Sequence, residues 1–158
     1  MIFCGYNQIG EYHKIFDPLF DTFQVVVWHK TNPTPQVRKS SFLNSCEFIV
    51  CFWNKKHVWQ FTRQNEMHNF IESGICQGNE RIRIPGTNKS LHPTQKPLKV
   101  CHKLIGWSTE PGMTIYDPFM GVASIGEAAL LTGRNYVGVE INQLYYNISK
   151  ERLASYKG

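Results

Sequence analysis

Nowhere does the 158-residue sequence hold an apolar run approaching the ~18 residues that a membrane span requires. Its first residues, Met1-Ile2-Phe3-Cys4-Gly5-Tyr6, lack the basic start and long apolar core of a secretory signal. A soluble, cytoplasmic protein without a membrane partner is the expectation. No C-x-x-C pair occurs among the five cysteines, Cys4, Cys46, Cys51, Cys76 and Cys101. An odd, unpaired set disfavours a disulfide framework and a zinc knuckle, so no metal site is expected. Runs such as Phe48-Ile49-Val50-Cys51-Phe52 suggest buried free thiols instead. Charged residues are few at 18%, against 42% hydrophobic and 13% aromatic. That mix excludes a disordered tail, a collagen-like chain and a charged coiled coil. The length suits one domain.

Acidic residues are absent from one whole stretch. Between Arg81 and Lys103 stand Arg81, Arg83, Lys89, Lys96, Lys99 and Lys103 with no Asp or Glu. Seventeen Lys and Arg against 12 Asp and Glu give the chain a net charge of +5. A polyanion suits such a segment, and nucleic acid is the leading candidate. A solvated loop and helix face would carry the same charges.

The apolar pattern places strands at Phe23 to Trp28 and Glu47 to Trp53, with a strand stub at Met1 to Cys4. Thr31-Asn32-Pro33-Thr34-Pro35 reads as a rigid turn between the first two. Residues 57–93 read as loop, with one short helix around Gln64 to Glu72. Pro97 can open a helix whose stripe is Leu98, Cys101, Leu104 and Ile105. The last third is a strand from Met113 to Tyr116 ending at Asp117, a glycine loop and a helix through Glu127 to Leu131. A strand over 136–141 and a helix over 144–153 follow. This β-α-β-α order predicts an α/β fold with helices on both faces of the sheet.

The loop Asp117-Pro118-Phe119-Met120-Gly121-Val122-Ala123-Ser124 meets a helix N-terminus beyond a strand end, where open α/β sheets take ligands. Glu140 follows Asp117 by 23 residues, the spacing that sets a carboxylate on ribose hydroxyls. G-x-G-x-x-G is missing, which argues against a dinucleotide enzyme such as a dehydrogenase and favours another adenosine-bearing ligand.

Three segments carry a resemblance. His92-Pro93-Thr94-Gln95-Lys96-Pro97, Asp117-Pro118-Phe119-Met120-Gly121 and Gly138-Val139-Glu140-Ile141 closely resemble the amino-group DNA methyltransferases that use S-adenosylmethionine. The order matches the circularly permuted branch, in which the catalytic half precedes the cofactor half. Phe23 to Pro33 is similar to that family's strand ending in W-x-K-x-N, and Glu47-Phe48-Ile49 to the strand after it. The resemblance implies a Rossmann-like methyltransferase sheet and methylation of adenine N6 or cytosine N4 in double-stranded DNA, as in restriction–modification systems.

Residue by residue, it implies that Asp117 lies near the methionine end of S-adenosylmethionine and Phe119 beside the adenosine. Gly121 is the close-approach glycine, and Glu140 the ribose-binding acid. Thr94, Gln95 and Lys96 border the methionine moiety. Residues 57–91 sit where the family keeps target recognition, as a candidate short target-recognition segment, and 92–158 are the cofactor part; the charge pattern points to Arg81, Arg83 and Lys89 on DNA phosphates. The family usually has Gly-Ser-Gly-Thr where this chain has Gly121-Val122-Ala123-Ser124, so the Ala123 methyl is expected to crowd the cofactor. Trp28 and Trp53 are expected in the core.

The family's catalytic Asp/Asn/Ser-Pro-Pro-aromatic tetrad is absent from residues 1–158, and Asp17-Pro18-Leu19-Phe20 does not match it. No catalytic residue can therefore be named. The expectation is a single, partial methyltransferase domain over 1–158, lacking the catalytic strand. It would be truncated, or need a complementary upstream polypeptide or a homodimer partner. The alternative is a non-catalytic remnant that binds DNA or cofactor.

Overall fold

The computed structural model describes residues 1–84 and 86–156; Pro85, from the expected 57–93 loop, lies outside them, as do Lys157 and Gly158. The chain forms two compact units, Met1–Ile75 and Cys76–Gly158. The expected target-recognition segment is divided by that boundary.

The first unit holds β1 (Ile2–Cys4), α1 (Ile9–Phe16), β2 (Thr22–Lys30), β3 (Cys46–Trp53) and β4 (Phe70–Ser73). Its sheet runs β1-β3-β2-β4. β2 and β3 pair antiparallel from Thr22↔Trp53 to His29↔Cys46, whereas β4 runs parallel to β2. The central strand β3 buries Ile49, Val50 and Cys51 in succession, so both of its faces are covered. Trp28 is 1% exposed and donates its Nε1–H to Ser73 O at 3.0 Å, which agrees with a core role. Trp53 is only half-buried, edge-on to Trp59. Helix α1, which the sequence reading omitted, sets Phe16 against Phe52 at 5.3 Å.

One expected helix is corrected here. Gln64 to Glu72 is not helical: a 3-10 turn covers Gln64–Glu66, and Phe70–Ser73 is a strand. Its residues alternate exposed and buried, with Ile71 fully enclosed. Period-two burial against β2 outweighs local helix preference there.

The second unit contains α2 (Leu98–Ser108), β5 (Thr114–Asp117), α3 (Ser124–Leu131), β6 (Asn135–Gly138) and α4 (Gln143–Ala154). β5 and β6 are parallel, in register from Thr114↔Asn135 to Asp117↔Gly138. Cys101 and Ile105 of α2 pack with Ala128 and Ala129 of α3, and Ile115 and Tyr136 from the strands close that core. The opposite face of the strand pair is bare: Tyr116 is 65% and Val137 50% exposed. Pro97 precedes α2 rather than opening it; its carbonyl accepts from Val100 and Cys101.

The five thiols are unbridged, and four of them are buried. Burial pushes Cys51 up to about 11, and Cys76 and Cys101 up to about 12, so these thiols stay protonated. Among the described residues no helix is long and apolar enough to cross a membrane, and no acid, Cys or His cluster suits a metal.

Candidate functional site

Two carboxylates mark the ends of the parallel strands. Asp117 is the last residue of β5, and Glu140 lies two residues beyond β6. The β5–α3 loop is tied to the β6 end by Val139 N–H to Asp117 O at 2.9 Å and Met120 N–H to Val139 O at 3.0 Å. Glu140 ties it again: Oε2 accepts from Gly121 N at 2.9 Å, and Oε1 from Asn142 N at 2.8 Å. Asn142 in turn caps α4, its side chain accepting from Leu144 N and Tyr145 N. Each Glu140 oxygen keeps a further lone pair, so the carboxylate can accept from two more hydroxyls.

Gly121 has φ +54°, and a Cβ there would stand 3.0 Å from His92 Nε2. Conformation and space both favour glycine. Its carbonyl accepts from Ser149 Oγ at 2.7 Å. Ala123 also sits in the left-handed region, at φ 59°, and is 0% exposed. Its methyl is enclosed by protein, which speaks against the expectation that it crowds a ligand. Ser124, the first residue of α3, has a buried Oγ with no hydrogen-bond partner among the described residues, and so does His92 at Nδ1. Phe119 is 87% and Ile141 101% exposed, one on each strand-end loop.

Asp117 accepts from Phe119 N at 3.2 Å and from the Tyr136 hydroxyl at 3.1 Å. Burial raises its carboxyl above the ordinary range, the two donors opposing that shift. Burial lowers His92, with the Lys96 ammonium adding to the effect, so the ring stays neutral. The ring meets Tyr145 edge-on at 4.8 Å.

The 94–97 segment divides by role. Thr94 is exposed, and its carbonyl accepts from Lys96 Nζ at 3.3 Å. Gln95 is buried with both ends of its amide engaged, Nε2 donating to Glu80 O and Oε1 accepting from Ile82 N. In this structure it braces the backbone of 80–82. Arg83 and Lys89 are exposed on a hairpin closed by Ile84 N to Lys89 O and Leu91 N to Ile82 O; Arg81, half-buried, precedes it. A cavity of about 520 Å³ lies among α2, α3 and α4, lined by Glu80, Leu98, Glu127 and Arg152, and none of the strand-end residues borders it.

Sequence reasoning missed Tyr136, Asn142 and Ser149. Asn142 had a legible signal, a capping side chain just before a helix. The other two act through contacts made across the fold, which spacing does not report.

The strand-end carboxylates, glycine turn and helix N-terminus stand where open α/β sheets take ligands, and the sheet with its flanking helices has the Rossmann-like class I methyltransferase fold. The family model for the amino-group (N6/N4) DNA methylases matches residues 1–151, and the chain belongs to that family. It is 34% identical over 141 residues to the type II methyltransferase M.HinfI of Haemophilus influenzae, covering 84% of this chain and 39% of that protein. It is 31% identical over 157 residues to the type II methyltransferase M2.MboI of Moraxella bovis, covering 90% and 56%. The chain thus spans about two-fifths to just over half the length of these curated relatives. Among solved structures, the M1.HpyAVI–SAM complex aligns with TM-score 0.71 and 29% identity over 96% of this chain and 73% of that one. The cytosine-N4-specific PvuII DNA methyltransferase, at 16% identity, 62% of its own length and TM-score 0.70, shows the same fold alone.

Proposed function

We propose that this chain binds S-adenosylmethionine at the strand ends of its second unit and forms the cofactor-binding portion of a site-specific DNA methyltransferase acting on adenine N6 or cytosine N4. The observation that carries this reading is the pairing of Asp117 and Glu140 around the Gly121 turn. The residues fit the group. Glu140 retains acceptor capacity for ribose hydroxyls, Phe119 and Ile141 offer apolar surface on either side for an adenine, and Asp117 suits a cationic amino group. The orphaned Ser124 Oγ lies at the end of the same loop, and the His92 ring, whose Nδ1 is orphaned, lies beside Gly121. The bound cofactor supplies an electrophilic methyl group. The chain's own residues hold and orient it: Glu140 fixes the turn, Tyr136 aims Asp117, and Gln95 braces the segment preceding α2. Thr94 and Lys96 border the methionine end in this reading.

Transfer needs more than residues 1–158 supply. An exocyclic base amine is conjugated with its ring and is a weak nucleophile; the Pro-Pro-aromatic segment supplies the acceptors that favour its attack and the ring that stacks an extruded base. We infer that a polypeptide stretch outside these residues brings that segment, from a longer chain, a complementary polypeptide or a second copy. Among the described residues β5 pairs only with β6, and the bare face at Tyr116 and Val137 is unusual for a parallel pair. Both features support the reading. The second reading, a non-catalytic cofactor- or DNA-binding remnant, is favoured by the lack of any Pro-Pro pair in the sequence.

Titration calorimetry with S-adenosylmethionine, followed by methyl transfer from labelled cofactor to duplex DNA with and without a polypeptide carrying the tetrad, tests the proposal. Binding alone and transfer only on addition are expected. No cofactor binding would overturn it, and binding without transfer in either mixture would favour the remnant. DNA contact by Arg81, Arg83 and Lys89 is tested by salt dependence. Replacing Arg81 and Arg83 by Gln should lower the duplex salt slope by about 1.8, at about 0.9 per phosphate contact.

A further inference from the structure

The connection between β2 and β3, residues 31–45, is 15 residues long and has no helix or strand. Loops of that length without internal structure are usually either functional or linker segments. It is nonetheless pinned. At its base Lys30 N donates to Ser45 O at 2.7 Å, and the Lys30 ammonium meets Glu47 at 3.0 Å. At its start Asn32 Oδ1 accepts from Ile75 N at 2.8 Å. Its tip is a turn in which Lys39 N donates to Gln36 O and Gln36 Nε2 donates to Ser41 Oγ at 2.7 Å.

What this pinned loop presents is unusual. Phe42 is 100% exposed, Val37 87% and Leu43 50%. Arg38 and Lys39 stand between the first two, Lys39 in the left-handed region at φ 50°. No Asp or Glu occurs from residue 22 to residue 46. Apolar side chains left in water at the tip of an acid-free loop with two cations suit a partner that is anionic outside and apolar within. Stacked nucleic acid has that build. Phosphates meet the cations, and an apolar side chain inserts between base steps.

We propose that the 37–43 tip is a DNA wedge, with Phe42 entering the base stack and Arg38 and Lys39 holding flanking phosphates. The proposal rests on the reading of DNA as substrate and adds a role for the first unit: an inserted ring offsets the stacking lost where a base leaves the duplex. No residue of the strand-end site is involved.

The test uses the full chain with a duplex carrying 2-aminopurine at successive positions, and three variants: Phe42→Ala, Phe42→Trp and the double change Arg38→Gln with Lys39→Gln. Phe42 is fully exposed, so its replacement leaves the fold intact. Phe42→Ala should weaken duplex binding about tenfold, the scale of one lost base–aromatic stack, and abolish the 2-aminopurine fluorescence rise. The double variant should lower the salt slope by about 1.8. Emission of the Phe42→Trp variant, relative to the wild-type chain, should be quenched by duplex DNA and unmoved by phosphatidylserine vesicles or by raising protein concentration. Wild-type affinity and fluorescence rise in Phe42→Ala would overturn the proposal. So would a response of the Phe42→Trp emission to vesicles or self-association in place of DNA. Cofactor calorimetry on the same samples separates the two readings: intact S-adenosylmethionine binding with no DNA response sinks the wedge and leaves the strand-end assignment standing.

Discussion

The two units bury their cores by different means. In Met1–Ile75 an antiparallel β3 sits between two partners and buries Ile49, Val50 and Cys51 on both faces. In Cys76–Gly158 a parallel pair is covered on the face of Ile115 and Tyr136 and bare on that of Tyr116 and Val137. Antiparallel strands can be joined directly, and an antiparallel sheet can leave one face in water, whereas parallel strands depend on crossovers and on layers over both faces. The first unit therefore covers both faces of its central strand, although Tyr6, Leu19 and Val58 join its 31–45 loop in leaving apolar side chains exposed. The second leaves open both its strand ends and one flank, which are the places where a ligand and additional chain can act.

The largest effect that sharpens this contrast is in stability. Ile49→Ala, at a fully enclosed site, should cost about 2–5 kcal/mol by chemical denaturation, whereas Val137→Ala on the bare face should cost under about 1 kcal/mol. Equal losses would show that Val137 is buried in solution, by self-association or by refolding of that flank. Next comes Glu140→Ala. It removes the acceptor for Gly121 and Asn142 and the ribose acceptor of the proposed function, so S-adenosylmethionine binding should weaken by about 1.5–3 kcal/mol. Glu140→Gln, which keeps one acceptor oxygen, should fall between. Calorimetry giving equal affinities would remove Glu140 from the site.

A smaller effect is the pH dependence of Asp117. Its carboxyl is raised by burial in the folded chain, so the associated stability is present below the ordinary value of 3.8 and is lost as pH rises through the raised pKa. The ionised form is thus a strained anion that a bound cation relieves. Cofactor affinity should fall as pH is lowered through that range, and Asp117→Asn should flatten the step while binding weakly throughout. His92 is a second titratable group, beside Gly121: burial lowers it from 6.5, with Lys96 adding to the shift and Glu140 opposing it. A His92→Asn variant should keep the Asp117 step. Loss of the step there would reassign it to the imidazole.

The same contrast explains what could be read from sequence. Parallel β5 and β6, their helices and the Asp117–Glu140 spacing were legible, because one short glycine turn and two strand-end acids are local patterns. In the first unit β2 and β3 were legible as apolar runs. β4 was not: Phe70-Ile71-Glu72-Ser73 is a strand only because β2 offers an edge 43 residues earlier in the chain. The place of Gln95 in a motif was legible, but that its amide is held by Glu80 and Ile82 was not, because only the fold of 78–84 brings those partners to it. Tyr136 read as a strand residue, but its ring crowds Gly126 and Gly138, where a Cβ would come within 2.6 to 2.9 Å of it, and its hydroxyl reaches Asp117. Local pattern located the acid; long-range packing supplied what aims it.

The smallest effect expected is at Ala123. Its φ of 59° costs an L-residue about 1–2 kcal/mol, which glycine would release. Glycine also loses more backbone entropy on folding, about 0.5–1 kcal/mol, and deleting the enclosed methyl forfeits about 0.8 kcal/mol of burial. The opposing contributions leave Ala123→Gly within about 1 kcal/mol of wild type in denaturant titration. Cofactor affinity should stay within about twofold, since RT ln 2 is only about 0.4 kcal/mol and the methyl faces protein on every side. A tenfold gain in S-adenosylmethionine affinity would mean that the 121–124 turn rearranges on binding and exposes the methyl to the ligand. The second unit would then be open at its loop as well as at its flank.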